Sequence, residues 1–147
     1  MAKAHATVDI QRSPAIVWAY LTDFPRNPEW LTQVTEVRVN GSPLGVGTQI
    51  TEVRRVPGRT VEGIIEITEW QPPRRLRKTS PSGALRADGL YELAPLPSGG
   101  TQLTFSLEIH ATGMLKVIEW LMASGLQKDT EQVLRNFKQR IESEPIE

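Results

Sequence analysis

The stretch Val8-Asp9-Ile10-Gln11-Arg12-Ser13-Pro14-Ala15-Ile16-Val17-Trp18-Ala19-Tyr20-Leu21-Thr22-Asp23-Phe24-Pro25, followed by Asn27-Pro28-Glu29-Trp30, decides how this chain folds. It reads as a strand, a capped helix, a break and a second helical turn. His5 to Ile10 alternates, with Ala6, Val8 and Ile10 on one face, as a half-buried strand does. Ser13 is suited to cap the orphan N–H groups of a helix, and Pro14 to occupy its first position. Ile16, Val17, Tyr20 and Leu21 then recur at helical spacing. A residue before proline is pushed out of the α region, so Asp23-Phe24-Pro25 ends the helix. Pro28-Glu29-Trp30-Leu31 reads as a second short helical piece. Two short helices placed here fill the V between the ends of a curved sheet.

Beyond this point the pattern is strand upon strand. Val34 to Asn40, Thr48 to Val56, Thr60 to Trp70, Arg74 to Ser80, Ala84 to Leu93 and Gln102 to His110 are separated by Gly/Pro turn clusters, among them Gly41–Gly45, Pro57-Gly58 and Pro81-Ser82-Gly83. The last of them is the most regular: Leu103, Phe105, Leu107 and Ile109 alternate with Thr104, Ser106, Glu108 and His110. From about Met114 to Ser143, Leu115, Met122, Leu126, Val133, Phe137 and Ile141 form a stripe at helical spacing. A bend is expected at Gly125 inside it, and the tail from Glu144 is expected to fray. Short turns make sequential strands antiparallel neighbours. The fold class that follows is α+β: a curved antiparallel sheet of six to seven strands, two short helices after strand one, and a long C-terminal helix gripped by the concave face.

A length of 147 residues without a linker-like stretch predicts one domain, residues 1 to 147, able to bury a core of its own. Lys+Arg and Asp+Glu number 17 each. That balance argues against a nucleic-acid binder, which needs a basic excess to release counterions. The chain has no cysteine, which excludes disulfides, thiolate nucleophiles and cysteine-based zinc sites. With two histidines and no paired-carboxylate spacing, no metal site and no cofactor are expected. The first residues carry no apolar signal-peptide core, and no apolar run approaches the roughly 18–20 residues of a membrane span. A cytoplasmic location is the resulting expectation.

The chain resembles the START-like, Bet v 1-like helix-grip superfamily (SRPBCC), and within it the polyketide cyclase/dehydrase and lipid-transport group. The resemblance rests on the run Ile10 to Asp23 with Ser13-Pro14 and Val17-Trp18, on Pro28-Glu29-Trp30-Leu31, on Gly45-Val46-Gly47-Thr48, and on Ile67-Thr68-Glu69-Trp70-Gln71-Pro72-Pro73-Arg74-Arg75-Leu76. It spans essentially the whole chain. These are capping, packing and turn residues, so they specify a fold rather than an activity. The resemblance implies an apolar cavity for a lipid, polyketide, sterol or hormone.

Alternation places Ile65, Ile67, Ala87, Tyr91, Phe105, Leu107 and Ile109 toward the long helix, which answers with Leu115, Ile118, Met122 and Leu126. The small inward residues Gly63, Ala87 and Gly89 either leave room for a ligand or permit sheet curvature. Tyr20, Trp30 and Tyr91 have an apolar body and a polar tip, and are the candidates to orient a ligand; packing is the competing role for Trp18 and Trp30. The start of the long helix is apolar nearly all round, and Val117 and Trp120 fall off its stripe. That surface is a portal, a dimer contact or a covered core.

No nucleophile elbow, Ser-His-Asp order or zinc-protease motif is present. Catalytic residues are therefore unassigned. His110 at a strand end is a candidate base, and His5 a weaker one; the alternative is a surface imidazole. Asp88 and Glu69 are the acids nearest the expected cavity and Arg54 the expected buried base, unless each is a solvated strand residue. The basic run Arg74-Arg75-Leu76-Arg77-Lys78 meets an anionic head group or guards an edge strand against pairing. The expected function is binding of a small hydrophobic ligand, lipid, polyketide or aromatic. The alternatives are a cyclase/dehydratase-like enzyme that folds a flexible substrate, and a protein-interaction module built on the Val117/Trp120 surface. A homodimer is compatible with the last.

Overall fold

Ser13 performs the role its position suggests: its Oγ accepts the Ile16 N–H at 3.4 Å and opens helix α1, Pro14–Leu21. The computed structural model in which this is seen describes residues 2–56, 58–80 and 85–145, without the side chains of Val56, Leu85, Ile118 and Met122. The turn expectations at Pro57 and at Pro81–Gly83, the start of a strand at Ala84 and the end of the tail lie outside the described residues. The second helical piece is a 3-10 turn over Phe24–Glu29, four residues earlier than expected. Pro25 stands at its start, where a missing N–H costs nothing, so the proline that ends α1 also opens the next turn.

Seven strands form one antiparallel sheet: β1 (Ala2–Ile10), β2 (Val34–Asn40), β3 (Gln49–Val56), β4 (Arg59–Gln71), β5 (Arg75–Thr79), β6 (Leu85–Pro95) and β7 (Thr101–Ala111). Their order is β1-β7-β6-β5-β4-β3-β2. Strands β2 to β7 thus run as a meander, as their short turns require. The first two strands are the two outer edges, and α1 with the 3-10 turn carries the chain from one edge to the other. The basic strand β5 is the fourth of the seven, central rather than an edge. Its arginines do not guard an edge; they pair with carboxylates of β4 and β6, as described below.

After β7 a 3-10 turn over Gly113–Leu115 leads into α2, Lys116–Glu142, which passes Gly125 without interruption. The far half of α2 seals one end of the concave face. Leu134, Phe137 and Ile141 are buried there with Trp18, Tyr20, Leu21, Phe24 and Trp30. Opposed residues of an antiparallel ladder share a face. The pairs Ile67–Lys78, Lys78–Gly89 and Gly89–Leu107 therefore form one inward row, and Trp70–Leu76, Leu76–Tyr91 and Tyr91–Phe105 the next.

Candidate ligand-binding site

The closed end is an aromatic cluster. The Trp30 ring stands edge-on to Phe137, with centroids 5.0 Å apart, and to Tyr91 at 6.2 Å. Tyr20 packs against Phe137 at 5.1 Å. Toward the start of α2 the inward side chains become small. There Ala2 and Ala4 form a separate minor core with Ile109 and Leu126. Beside this minor core a cavity of about 520 Å³ remains between the sheet and α2. That volume is in the range of small-molecule sites, ~300–1,000 Å³.

The sheet lines this cavity with Ile65 from β4, Ala87 and Tyr91 from β6, and Phe105, Leu107 and Ile109 from β7, and α2 adds Leu126. All seven are expected from the alternation. The small residues act as room-makers: Gly63 and Gly89 also line the space. A Cβ on Gly63 would have no atom within 4 Å, whereas one on Gly89 would stand 3.1 Å from the Phe105 ring. The Tyr91 ring is stacked on Phe105, with centroids 4.3 Å apart and planes 9° from parallel.

Four expected residues are not in this lining. Tyr20 is buried at the closed end, and its hydroxyl donates to Glu29 Oε1 at 2.9 Å, so its polar tip is already engaged. Burial, reinforced by the Glu29 carboxylate, holds that phenol above the usual tyrosine range. Trp30 is fully enclosed, and its Nε1 has no hydrogen-bond partner among the described residues. Its ring is a packing element, the role that competed with ligand orientation. Ile67 is buried in the main core. Leu115 belongs to the 3-10 turn ahead of α2 and is half-buried there. The side chains of Ile118 and Met122 lie outside those described.

The sequence reading missed the two buried charges of the site. Lys78 and Glu52 line the cavity at 8% and 3% exposure. Both follow from the register: Lys78 is two residues after inward Leu76, and Glu52 two after inward Ile50. Arg54, expected as a buried base, does line the cavity, but its side chain is about half-exposed; its Nε and Nη2 reach Glu52 Oε1 at 3.1 and 3.0 Å. Lys78 Nζ lies over the Phe24 ring at 5.5 Å and the Tyr91 ring at 5.4 Å, a cation–π pair of contacts. Burial pulls the Lys78 ammonium below the usual lysine range, with Glu52 opposing the shift. Burial likewise holds the Tyr91 phenol above its usual range.

The convex face carries the rest of the basic run. Arg77 Nη1 bridges both carboxylate oxygens of Asp88 at 3.1 Å, and its Nε donates to Glu69 at 3.1 Å. Arg75 reaches the same Glu69 at 2.5 Å and Glu92 at 3.2 Å. The Arg75 guanidinium, with Arg77 beside it, holds the Glu69 carboxyl below the usual range. Glu69 and Asp88, expected near the cavity, therefore face away from it. The cause for Glu69 is a register shift between Ile67 and Glu69, which turns Ile67 inward and Glu69 outward.

His110 is exposed, 3.5 Å from Glu108, and His5 Nδ1 meets the Ser106 hydroxyl at 3.1 Å. Neither lines the cavity. At the start of α2, Met114, Val117, Trp120 and Leu121 are exposed, Trp120 by 74%. Among the described residues no group of three or more metal-ligating side chains gathers, and no helix is long and apolar enough to cross a membrane.

Comparison with known proteins agrees with this architecture. A 25% identical relative, the toxin Rv0910 of Mycobacterium tuberculosis, matches 93% of this chain and 96% of its own. The aromatase/cyclase Zhui from Streptomyces sp. R1128 superposes with a TM-score of 0.79 at 14% identity, over 95% of this chain and 93% of that one. A START superfamily protein from Mycobacterium smegmatis superposes with a TM-score of 0.75 at 13% identity, over 97% and 98%. These likenesses establish the START-like helix-grip fold. Residues 1–142 match the family described as polyketide cyclase / dehydrase and lipid transport, and the chain belongs to that family.

Proposed function

We propose that this protein binds a small hydrophobic molecule between the sheet and α2. The observation that carries the reading is the cavity of about 520 Å³, walled by Phe105, Leu107, Ile109 and Leu126 and kept clear by Gly63 and Ala87. Apolar burial drives the association at roughly 25 cal/mol per Å², and a few polar groups fix orientation. The family and fold are compatible with it. The acid–base candidates of the sequence, Glu69, Asp88 and His110, stand outside the cavity, which favours binding over cyclase/dehydratase chemistry.

Titration with the neutral fluorescent probe N-phenyl-1-naphthylamine tests the reading. Saturable uptake by the wild type is expected, and its loss in Gly63→Leu, whose added Cβ meets no atom within 4 Å and whose side chain takes up cavity space. Native mass spectrometry of the purified protein, followed by solvent extraction, identifies any resident molecule. Failure of the wild type to take up the probe overturns the reading.

A further inference from the structure

Lys78 makes no hydrogen bond or ion pair among the described residues; its ammonium lies over the faces of Phe24 and Tyr91. The nearest acid of the wall, Glu52, is committed to Arg54 through two contacts of about 3 Å. The remaining acids of the lining are Glu62 and Asp129. Both are exposed, and Glu62 is bonded by Arg38 at 2.9 Å. The buried charges of the site are thus one ammonium, Lys78, and one carboxylate, Glu52, and the carboxylate is already bonded by the half-exposed Arg54. The Tyr91 hydroxyl also lacks a hydrogen bond among the described residues. A buried charge without a hydrogen-bonded counter-charge is costly, and an entering anion relieves that cost. Phe24 belongs to the closed aromatic end while Tyr91 lines the cavity. The ammonium thus stands at the inner end of the space, with the apolar walls of Leu107, Ile109 and Leu126 extending from it.

We propose that the ligand is an amphipathic monocarboxylic acid, its carboxylate seated on Lys78 with the Tyr91 hydroxyl as a second donor, and its apolar body lying along β7 and α2. This rests on the binding reading above and narrows it to a chemical class.

The test displaces N-phenyl-1-naphthylamine from the whole protein at pH 8 with dodecanoic acid and, separately, with dodecan-1-ol, which shares the chain and lacks the charge. The acid is expected to displace the probe at a concentration at least about tenfold lower, the return of one charge-assisted hydrogen bond. In Lys78→Met the preference of acid over alcohol, read as the ratio of the two on the same variant, is expected to vanish. Equal displacement by acid and alcohol in the wild type overturns the carboxylate assignment and leaves the cavity reading standing. Absence of probe uptake overturns both. If Lys78→Met does not fold, the acid-to-alcohol ratio of the wild type decides alone.

Discussion

The two ends of the space between sheet and α2 are built on opposite plans. At one end Trp30, Phe137, Tyr20 and Phe24 interlock, and helix and sheet meet as a continuous core. At the other, Gly63, Ala87 and Gly89 line a void beside Leu126. One helix and one sheet thus divide the labour: the aromatic end holds them together so that the end lined by Gly63, Ala87 and Gly89 need not close. Close packing and open volume reside in different halves of the same interface.

That division is open to direct attack. Phe137→Ala should cost the most, about 3–5 kcal/mol in a urea melt, because a fully enclosed ring is removed from a packed cluster. Leu126→Ala, at the rim of an existing cavity, should fall at the low end of its class, about 2 kcal/mol. Equal losses at the two sites would mean that the open end is a packed core after all.

Lys78→Met sharpens the contrast from the other side. The folded state holds the Lys78 ammonium below its ordinary value of 10.5 through burial. The folded protein therefore binds fewer protons than the unfolded chain in the window just below 10.5, and stability due to this residue rises with pH there. At lower pH the penalty of the buried charge is present in full. The variant should melt higher than the wild type near neutral pH, by roughly 1 kcal/mol or more, and its advantage should shrink as pH approaches 10. A constant difference in melting temperature would show that the ammonium is not desolvated. The smallest effect belongs to Trp120→Ala, within about 0.5 kcal/mol, since this indole is exposed. Sedimentation velocity on the same variant reports whether the apolar start of α2 joins two copies.

The meander was legible because β strands announce themselves by alternation and by the Gly/Pro turns between them. The cavity walls on β6 and β7 were legible for the same reason: Tyr91, Phe105, Leu107 and Ile109 sit at period two. Charge misled the reading where periodicity would have served. Lys78 lies inward because Leu76 does, yet within a run of four basic residues it reads as one more solvated side chain. Glu52 is hidden by the same habit. The short elements failed for another reason. In six to eight residues, spacing does not say which side of a turn meets the cavity, so Tyr20 and Trp30, expected in its lining, lie instead in the sealed end. Glu69 was misplaced by a register shift that no composition signals.

The position of β1 has a consequence for the order in which the molecule is made. Its partner is β7, with Ala2 opposite Ile109 and Ile10 opposite Thr101. During synthesis the first strand emerges long before the strand that completes it. The meander β2 to β7 assembles from local hairpins, while β1 must wait for the loop closed by about ninety intervening residues, a search whose entropic cost slows folding. Although it is the first strand of the chain, β1 is thus the last to join the sheet, as an edge on β7.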